Sequence, residues 1–250
     1  MASVAEHYRT HLAPVYTWMA GGVDAALARG ESEIAAILPD LSAGGSAVDL
    51  GAGFGMHAIP LGRRGCAVLA VDSCPLLLEQ LMRQSTGLPV KAVMDDMLSF
   101  RRHMDSGADA ILCMGDTLTH LPDTAAVLQL FALAAESLRP GGRFIATFRD
   151  YTAPLVGPAR FIRVRSDADR IMTCFLEYAP GTVDVHDLIH QRSGSNWQLQ
   201  VSVYRKLRLA PGWVSAALEE RGLSVRTEPG LAGMIRVVAA RPFLTTGGQN

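Results

Sequence analysis

The run Asp49-Leu50-Gly51-Ala52-Gly53-Phe54-Gly55, with an acid, Asp72, about twenty residues further on, carries the clearest chemistry in this chain. Gly51 and Gly53 let the backbone turn sharply and approach a ligand where a Cβ would collide. A helix that follows can offer free N–H groups at the same place. The pattern points to a nucleotide-type cofactor. A dinucleotide fingerprint, Gly-x-Gly-x-x-Gly, needs its third glycine one residue later than Gly55, and here an acid, Asp49, precedes the first glycine. A plain strand-to-helix turn also favours glycine, so the elements around the run must decide.

Ser46 to Leu50 reads as a short buried strand, Cys66 to Asp72 as a second, and Met56 to Arg64 as a short helix between them. A right-handed crossover brings Asp72 to the same sheet edge as the glycines, where its carboxylate can accept from both ribose hydroxyls. The competing reading makes Asp72 the N-cap of a helix opened by Ser73 and Pro75.

Beyond this βαβ unit the pattern predicts helix Pro75–Gln84, strand Val90–Val93, strand Ala108–Met114 and helix Thr124–Leu138. Arg139-Pro140-Gly141-Gly142 reads as a stop before strand Arg143–Phe148. Residues 3 to 38 read as two helices separated by Gly21-Gly22. From Pro158 to Leu209 four apolar/polar alternating stretches, with turns at Pro180-Gly181 and Ser193 to Asn196, predict an antiparallel meander. Helix Pro211–Arg221 and strands Leu223–Thr227 and Met234–Ala240 follow, and Thr245 to Asn250 is expected to fray. The fold expected is α/β, a doubly wound, mostly parallel sheet. Its divisions are an N-terminal helical lid (1–45), a cofactor-binding core (46–157 and 210–242) and an inserted antiparallel β cap (158–209).

At 250 residues, 49% of them hydrophobic, the chain can bury a sizeable core. A net charge of −1 without a dense Lys/Arg run argues against a nucleic-acid partner. Early charges at Glu6 and Arg9 argue against a signal peptide, and no apolar run is long enough to span a bilayer, so a cytoplasmic protein is expected. Cys66, Cys74, Cys113 and Cys174 lie far apart, which disfavours a zinc knuckle or a disulfide framework. They read mostly as small core residues, and no metal site is expected.

The glycine run and Asp72 resemble motif I and the ribose-binding acid of the class I S-adenosylmethionine-dependent methyltransferases, and the resemblance extends from Val48 through Arg241. It implies a seven-stranded Rossmann-like sheet, S-adenosyl-L-methionine as cofactor and direct in-line methyl transfer to a small molecule. On that resemblance Asp49, Gly51, Ala52, Gly53, Asp72 and Ser73 hold the cofactor. Val93-Met94-Asp95-Asp96-Met97 is similar to the loop whose acid accepts from the adenine amino group, so Asp96 takes that role, with Asp95 as fallback and Met97 against the ring. Met114 and Gly115 take the methionine end.

For the acceptor, Gly115-Asp116-Thr117-Leu118-Thr119-His120 resembles the Gly-Asn-Ser segment and later histidine of glycine-type N-methyltransferases, with Asp116 departing from Asn. Asp116 can receive a proton or attract an amine, or simply cap a helix; His120 can face the cofactor or just pack. Phe148-Arg149-Asp150-Tyr151 resembles the stretch that sets an arginine on a substrate carboxylate, the alternative being an ion pair with Asp150 or Asp167. Tyr8, Tyr16 and Trp18 resemble an aromatic lid, with Tyr16 favoured for the site. His186 and His190 lie on one side of a strand and can border the substrate.

The leading expectation is therefore methylation of an amino or amino-acid-like compound, with oxygen, carbon or sulfur as other acceptor atoms. A nicotinamide-dependent oxidoreductase on the same sheet and a non-catalytic cofactor-binding protein remain the competing classes. The sequence leaves the oligomeric state open.

Overall fold

The structure is a computed structural model that describes residues 3–243. The expectation for Thr245 to Asn250 falls outside them. Two sheets organise the chain. The first has seven strands: β1 (Ser46–Leu50), β2 (Ala67–Asp72), β3 (Val90–Met94), β4 (Ala108–Cys113), β5 (Leu138–Phe148), β10 (Ser224–Pro229) and β11 (Ile235–Ala240), in the order β10-β11-β5-β4-β1-β2-β3. Pairing is parallel from β5 through β3, whereas β11 runs antiparallel to both β5 and β10. The doubly wound, mostly parallel sheet expected from the alternation of strands and helices is present.

Strand alternation distributes the core over both faces of the sheet. Val48, Leu50, Ile111 and Phe144 pack on one side with Val127, Leu130 and Phe131 of α6 (Thr124–Ser137) and Leu218 of α7 (Pro211–Glu219). Ala47, Leu112 and Ile145 point to the other, against Ile34 and Ile37 of α3 (Val23–Ile37), Leu61 of α4 (Ala58–Arg63) and Leu78 and Leu81 of α5 (Pro75–Gln84). Three of the four cysteines, Cys66, Cys74 and Cys113, are buried.

The second sheet holds the meander: β6 (Phe161–Ser166), β7 (Arg170–Ala179), β8 (Thr182–Ser193) and β9 (Asn196–Leu207), antiparallel and in chain order. An N-terminal arm joins the two sheets. It runs through α1 (Val4–His7), a π-helical turn (Tyr8–Leu12) and α2 (Ala13–Met19), and ends at Gly21 and Gly22, both at positive φ. Leu12 and Val15 pack on Met172 and Ile189 of the second sheet, while Tyr8 and Tyr16 pack near Phe54 and Leu77 of the first.

One turn is corrected. Arg139-Pro140-Gly141-Gly142 does not separate helix from strand but lies within β5, whose register to β4 slips between the pairs Ala108↔Leu138 and Ala110↔Arg143. Such an irregularity accommodates a residue without an N–H, and Gly141 takes the positive φ the bulge requires while donating to Arg241 O. Among the described residues no helix is long and apolar enough to cross a membrane.

Candidate cofactor and acceptor site

A cleft opens beyond the carboxyl ends of β1 to β4, where ligands of open α/β sheets sit. Ten of the residues singled out in the sequence meet there: Gly51, Gly53, Asp72, Ser73, Asp95, Asp96, Met97, Tyr8, Tyr16 and His120. Asp49, Ala52, Met114, Gly115, Asp116 and Arg149 do not line it. Tyr8, Thr117, Leu121 and Pro122 complete the far wall.

The glycine run earns its shape from close contacts. Gly51 has φ +69°, and a Cβ there would lie 2.5 Å from Thr117 Cγ2. Its N–H and that of Ala52 both donate to Val71 O, which ties the loop to the end of β2. Gly53 N–H is not free for a ligand: it donates to Asp72 Oδ2 at 2.8 Å, while Cys74 N–H donates to Oδ1 at 2.7 Å. Asp72 therefore braces the turn into α5 and lines the cleft with the same carboxylate, but the N-cap of α5 is Cys74 and not Asp72, which corrects the capping reading. Burial pushes its pKa up, and the N–H groups of Cys74, Gly53 and Ser73 oppose that.

Asp96 accepts Leu98 N–H on Oδ1 as the N-cap of a 3₁₀ turn, Met97–His103. Its neighbour Asp95 is occupied by His103 at 2.7 Å and by Asp96 N–H.

Asp49 lies behind the loop, not on the cleft. It is 1% exposed, and its Oδ2 has no hydrogen-bond partner among the described residues. His57 and Glu33, joined at 3.1 Å, are buried as well. Burial raises Asp49 to a pKa of about 6 despite His57 and the Ala58 N–H. A pKa above the unfolded carboxylate value means the neutral form suits the fold. The stability Asp49 contributes is present below pH about 4 and is lost as pH rises through about 6. Asp49→Asn should leave stability nearly unchanged at pH 4 and raise it by about 1–3 kcal/mol at pH 8, read by urea unfolding at both values.

At the end of β4 the structure decides between the two readings of Asp116. It sits at φ 72° before the turn Thr117–His120 but makes no side-chain cap bond. Oδ1 accepts Arg149 N–H at 2.9 Å; Oδ2 accepts Tyr151 OH at 3.0 Å and the Lys206 ammonium. The amine it attracts is thus the chain's own. Burial would raise Asp116, but the Lys206 charge and hydrogen bond outweigh it and hold the carboxyl below the usual range. Burial alone would lower Lys206, and Asp116 reverses this and holds it above its usual value.

Arg149 turns away from the cleft: its guanidinium donates to Ala232 O at 2.9 Å and, among the described residues, pairs with neither Asp150 nor Asp167.

His120 stands between two tyrosines, its ring 5.4 Å from Tyr8 and 5.6 Å from Tyr204. Burial, with the Lys206 charge, lowers its pKa to about 3, so it is a neutral imidazole near pH 7. Burial likewise raises Tyr16, with Asp72 adding, to about 12, so its hydroxyl keeps its proton. Trp18 does not join the lid; it donates to Asp167 and lies under Arg170, clamping the arm to the second sheet.

His186 and His190 share one side of β8, as their spacing requires, but that side faces away from the arm; His186 pairs with Glu177. Asp187, between them, faces inward. It accepts His7 Nε2 at 3.0 Å on Oδ2 and Cys174 Sγ at 2.8 Å on Oδ1, and its carbonyl meets His11 Nε2 at 3.1 Å. His7 also stacks on Tyr204 at 4.0 Å and meets Ser202 Oγ at 2.8 Å. Sequence reasoning missed this network and Lys206. The available signal for Asp187 was an acid set among Val183, Val185 and Ile189, the apolar side of its strand.

The residues present fit S-adenosylmethionine. Asp72 offers acceptors for a vicinal diol, Asp96 an acceptor for an exocyclic amine and Met97 an apolar contact, while Tyr8 and Tyr16 present aromatic rings suited to a sulfonium.

Residues 47–142 match the family described as a methyltransferase domain. A ubiquinone biosynthesis O-methyltransferase of Xylella fastidiosa is 33% identical over 107 residues, 42% of this chain and 42% of that protein. A glycine N-methyltransferase of Rattus norvegicus is 25% identical over 143 residues, 50% of this chain and 49% of that protein. The matched part thus spans half or less of these curated relatives. Among solved structures, the S-adenosylmethionine-bound amino pentose methyltransferase CalS10 of Micromonospora echinaspora has a TM-score of 0.70 at 19% identity, covering 92% of this chain and 97% of that one. That is a likeness of fold.

Proposed function

Because the chain belongs to the class I S-adenosylmethionine-dependent methyltransferases, we propose that it methylates the nitrogen of a small amino compound that carries no carboxylate beside the amine. The observation that carries this reading is the single cleft running from Asp72 and Asp96 to a wall of Tyr8, Tyr16 and neutral His120, with no Lys or Arg on it. A carboxylate at the acceptor end would lack a cationic partner there, since Arg149 is held at Ala232 and Lys206 is spent on Asp116. Among the curated relatives, one is an O-methyltransferase and one an N-methyltransferase, so nitrogen is favoured by the site and not by kinship.

When bound, S-adenosylmethionine supplies a methyl group already activated on a sulfonium. The chain's task is to orient the acceptor. Asp72 and Asp96 hold the ribose and adenine ends in this reading, the arm closes the cleft as a lid through Val4, Ala5, Tyr8 and Tyr16 while α3 belongs to the core, and the second sheet (158–209) backs the lid through His7 and Asp187. An ammonium must lose its proton to solvent before it can attack, and the neutral imidazole at His120 can then hold the free amine by a hydrogen bond. The substrate is a diffusible cytoplasmic metabolite.

Calorimetric titration with S-adenosylmethionine and with S-adenosylhomocysteine tests the cofactor; absence of binding by both overturns the reading. Turnover of an amine panel with and without an α-carboxylate tests the acceptor, and preference for the amino acids would overturn the finer assignment. His120→Gln should lower kcat about 100-fold while leaving cofactor affinity within about threefold. Because burial keeps His120 neutral above a pKa of about 3, the wild-type profile should show no histidine inflection between pH 5 and 8. Activity should instead rise toward the pKa of the acceptor amine.

A further inference from the structure

Three arginines from separate parts of the chain converge on the joint between the arm and the core. Gly21 and Gly22, which follow α2, both take positive φ, and α3 begins straight after them. Arg29 reaches back from α3, and its Nη2 donates to Ala20 O. Arg165 and Arg170 come from the second sheet. The register of β6 on β7 shifts at Val164, so that Arg163 pairs with Thr173 but Arg165 with Met172. The shift turns Arg165 to the side of buried Met172, toward the arm, where regular alternation would keep it on the side of Arg163. Arg170, two residues before Met172, shares that side. The guanidinium carbons of Arg165 and Arg170 lie 5.8 Å and 4.8 Å from the ring centre of Trp18 on α2.

These cations gather without matching anions. Among the described residues no carboxylate pairs with Arg29, Arg165 or Arg170. Asp167, the acid beside them, is engaged by Trp18 Nε1–H and by the N–H groups of Asp169 and Arg170. Asp24 lies in the first turn of α3. Arg165 Nε is buried and finds no acceptor among the described residues. A Cβ on Gly21 would meet only Arg165 Nη1, at 3.3 Å, and Arg29 Nη1, at 3.5 Å, beyond its chain neighbours. The glycine thus leaves room for an atom flanked by two guanidinium donors. Like charges this close repel, and an anion shared between them turns the repulsion into attraction.

We infer that Arg29, Arg165 and Arg170 form a binding site for a phosphoryl group at this joint, and that filling it holds the arm closed over the cleft. A phosphoryl group suits the donors because it offers three or more oxygens and up to two negative charges, enough for two planar guanidinium forks at once. A carboxylate, with two oxygens and one charge, satisfies one fork. The effect on the cleft follows from where the arginines are anchored. Arg29 belongs to α3, packed on the first sheet, whereas Arg165 and Arg170 belong to the second sheet, which holds the arm through Trp18 and His7. An anion shared by them ties the second sheet, and the arm with it, to the core beside Gly21. The arm carries Tyr8 and Tyr16 of the cleft. Phosphate and a ligand in the cleft therefore strengthen each other's binding by the same factor. This coupling rests on the reading of the cleft as the cofactor site; the phosphoryl site does not.

Calorimetric titration of the full chain with inorganic phosphate, at constant ionic strength, should show one saturable site with a Kd of about 1 mM or tighter. Arg165→Gln and Arg29→Gln should each weaken it at least about 10-fold. Arg163→Gln removes the same charge from the opposite side of β6, where Arg163 meets Ser166 Oγ, and should change it less than about twofold. Without phosphate, Arg165→Gln should melt no lower than wild type, because it relieves repulsion; a lower melt would make Arg165 a structural residue and overturn its assignment. Glycerol 3-phosphate separates the sources of the group: tighter binding than phosphate assigns the site to a phosphate ester, and equal or weaker binding to the free ion. In about 10 mM phosphate the affinity for S-adenosylhomocysteine should rise about fivefold in wild type and stay level in Arg165→Gln. Absence of saturable phosphate binding overturns the site, and so does an equal loss in Arg163→Gln and Arg165→Gln. Phosphate that binds at the arginines but leaves the affinity for S-adenosylhomocysteine unmoved overturns the coupling. Phosphate binding in a chain that takes up no S-adenosylhomocysteine upholds the site and overturns the coupling together with the reading of the cleft.

Discussion

Lys206→Met should lower the stability of the fold by about 3–5 kcal/mol, a fall in Tm on the order of 10 °C for a chain of this size, measured by calorimetry. Lys206 and Asp116 are both buried, and the ammonium lies against Asp116 Oδ2 and within 6.0 Å and 5.5 Å of the Tyr151 and Tyr204 ring centres. Removing the cation leaves a buried carboxylate facing only Arg149 N–H and Tyr151 OH, which cannot replace a full charge. The double variant Asp116→Asn/Lys206→Met should recover more than half of the loss, since an amide keeps an acceptor for Arg149 N–H and adds a donor for Tyr151. The sign with pH follows from the two shifts. Asp116 is depressed, so its contribution is present above the unfolded value of about 3.9 and fades as pH falls through the lower folded value. Lys206 is raised, so its contribution is present below about 10.4 and fades as pH rises through the higher folded value. The gap between wild type and Lys206→Met should therefore be flat between about pH 5 and 9 and narrow in acid. Equal stabilities at pH 7 would remove Lys206 from its place as anchor of β9 to the loop after β4.

The cofactor half of the cleft was legible because its signals are local. A glycine forced by the Thr117 side chain, a strand ending in an acid and a crossover of fixed hand put Gly51, Gly53 and Asp72 together whatever the rest of the chain does. The acceptor half was legible only in Tyr8, Tyr16 and His120, because its residues come from three separate stretches. Tyr8, His120, Tyr204 and Lys206 meet only through the pairing of the arm with the second sheet and of that sheet with β4, contacts that no period reveals. Asp116 shows the limit. Its type and position at the end of a parallel strand suited an amine, and an amine is there, but it belongs to Lys206. Arg149 shows it differently: one residue past β5, its direction depends on a loop carbonyl at Ala232, more than eighty residues away in sequence. His186 and His190 were correctly grouped on one side of β8, yet spacing cannot say which side is inside; the odd-numbered apolar set, Val183, Val185 and Ile189, answers that. Read on β9, the same rule would place Trp197, Leu199 and Val201 inside, and the structure places them outside.

Asp72→Ala should abolish measurable binding of S-adenosylmethionine, a loss of at least about 100-fold, with a stability change no larger than about 2 kcal/mol. The carboxylate joins two tasks that no other residue on the cleft combines. It receives Gly53 N–H and Cys74 N–H, which fixes the glycine turn against the start of α5, and it presents its remaining lone pairs to the cleft. Truncation therefore releases the loop and removes the acceptor for a diol in one step, and the N–H groups it frees can turn to water because the site is open on one side, which limits the cost to the fold. Asp72→Asn separates the two tasks. An amide can accept only one of the two N–H groups, so the loop is half braced, and it can accept from at most one ribose hydroxyl. Its affinity should fall between those of wild type and Asp72→Ala in calorimetric titration. Asp96→Asn should cost less, about 10-fold, because Oδ1 goes on accepting Leu98 N–H and a single hydrogen bond to the adenine amine is at stake. The order Asp72→Ala, Asp72→Asn, Asp96→Asn, from greatest loss to least, follows from how many donors each carboxylate serves. An Asp96 variant that binds worse than Asp72→Ala would mean that the adenine end, not the braced ribose end, anchors the cofactor.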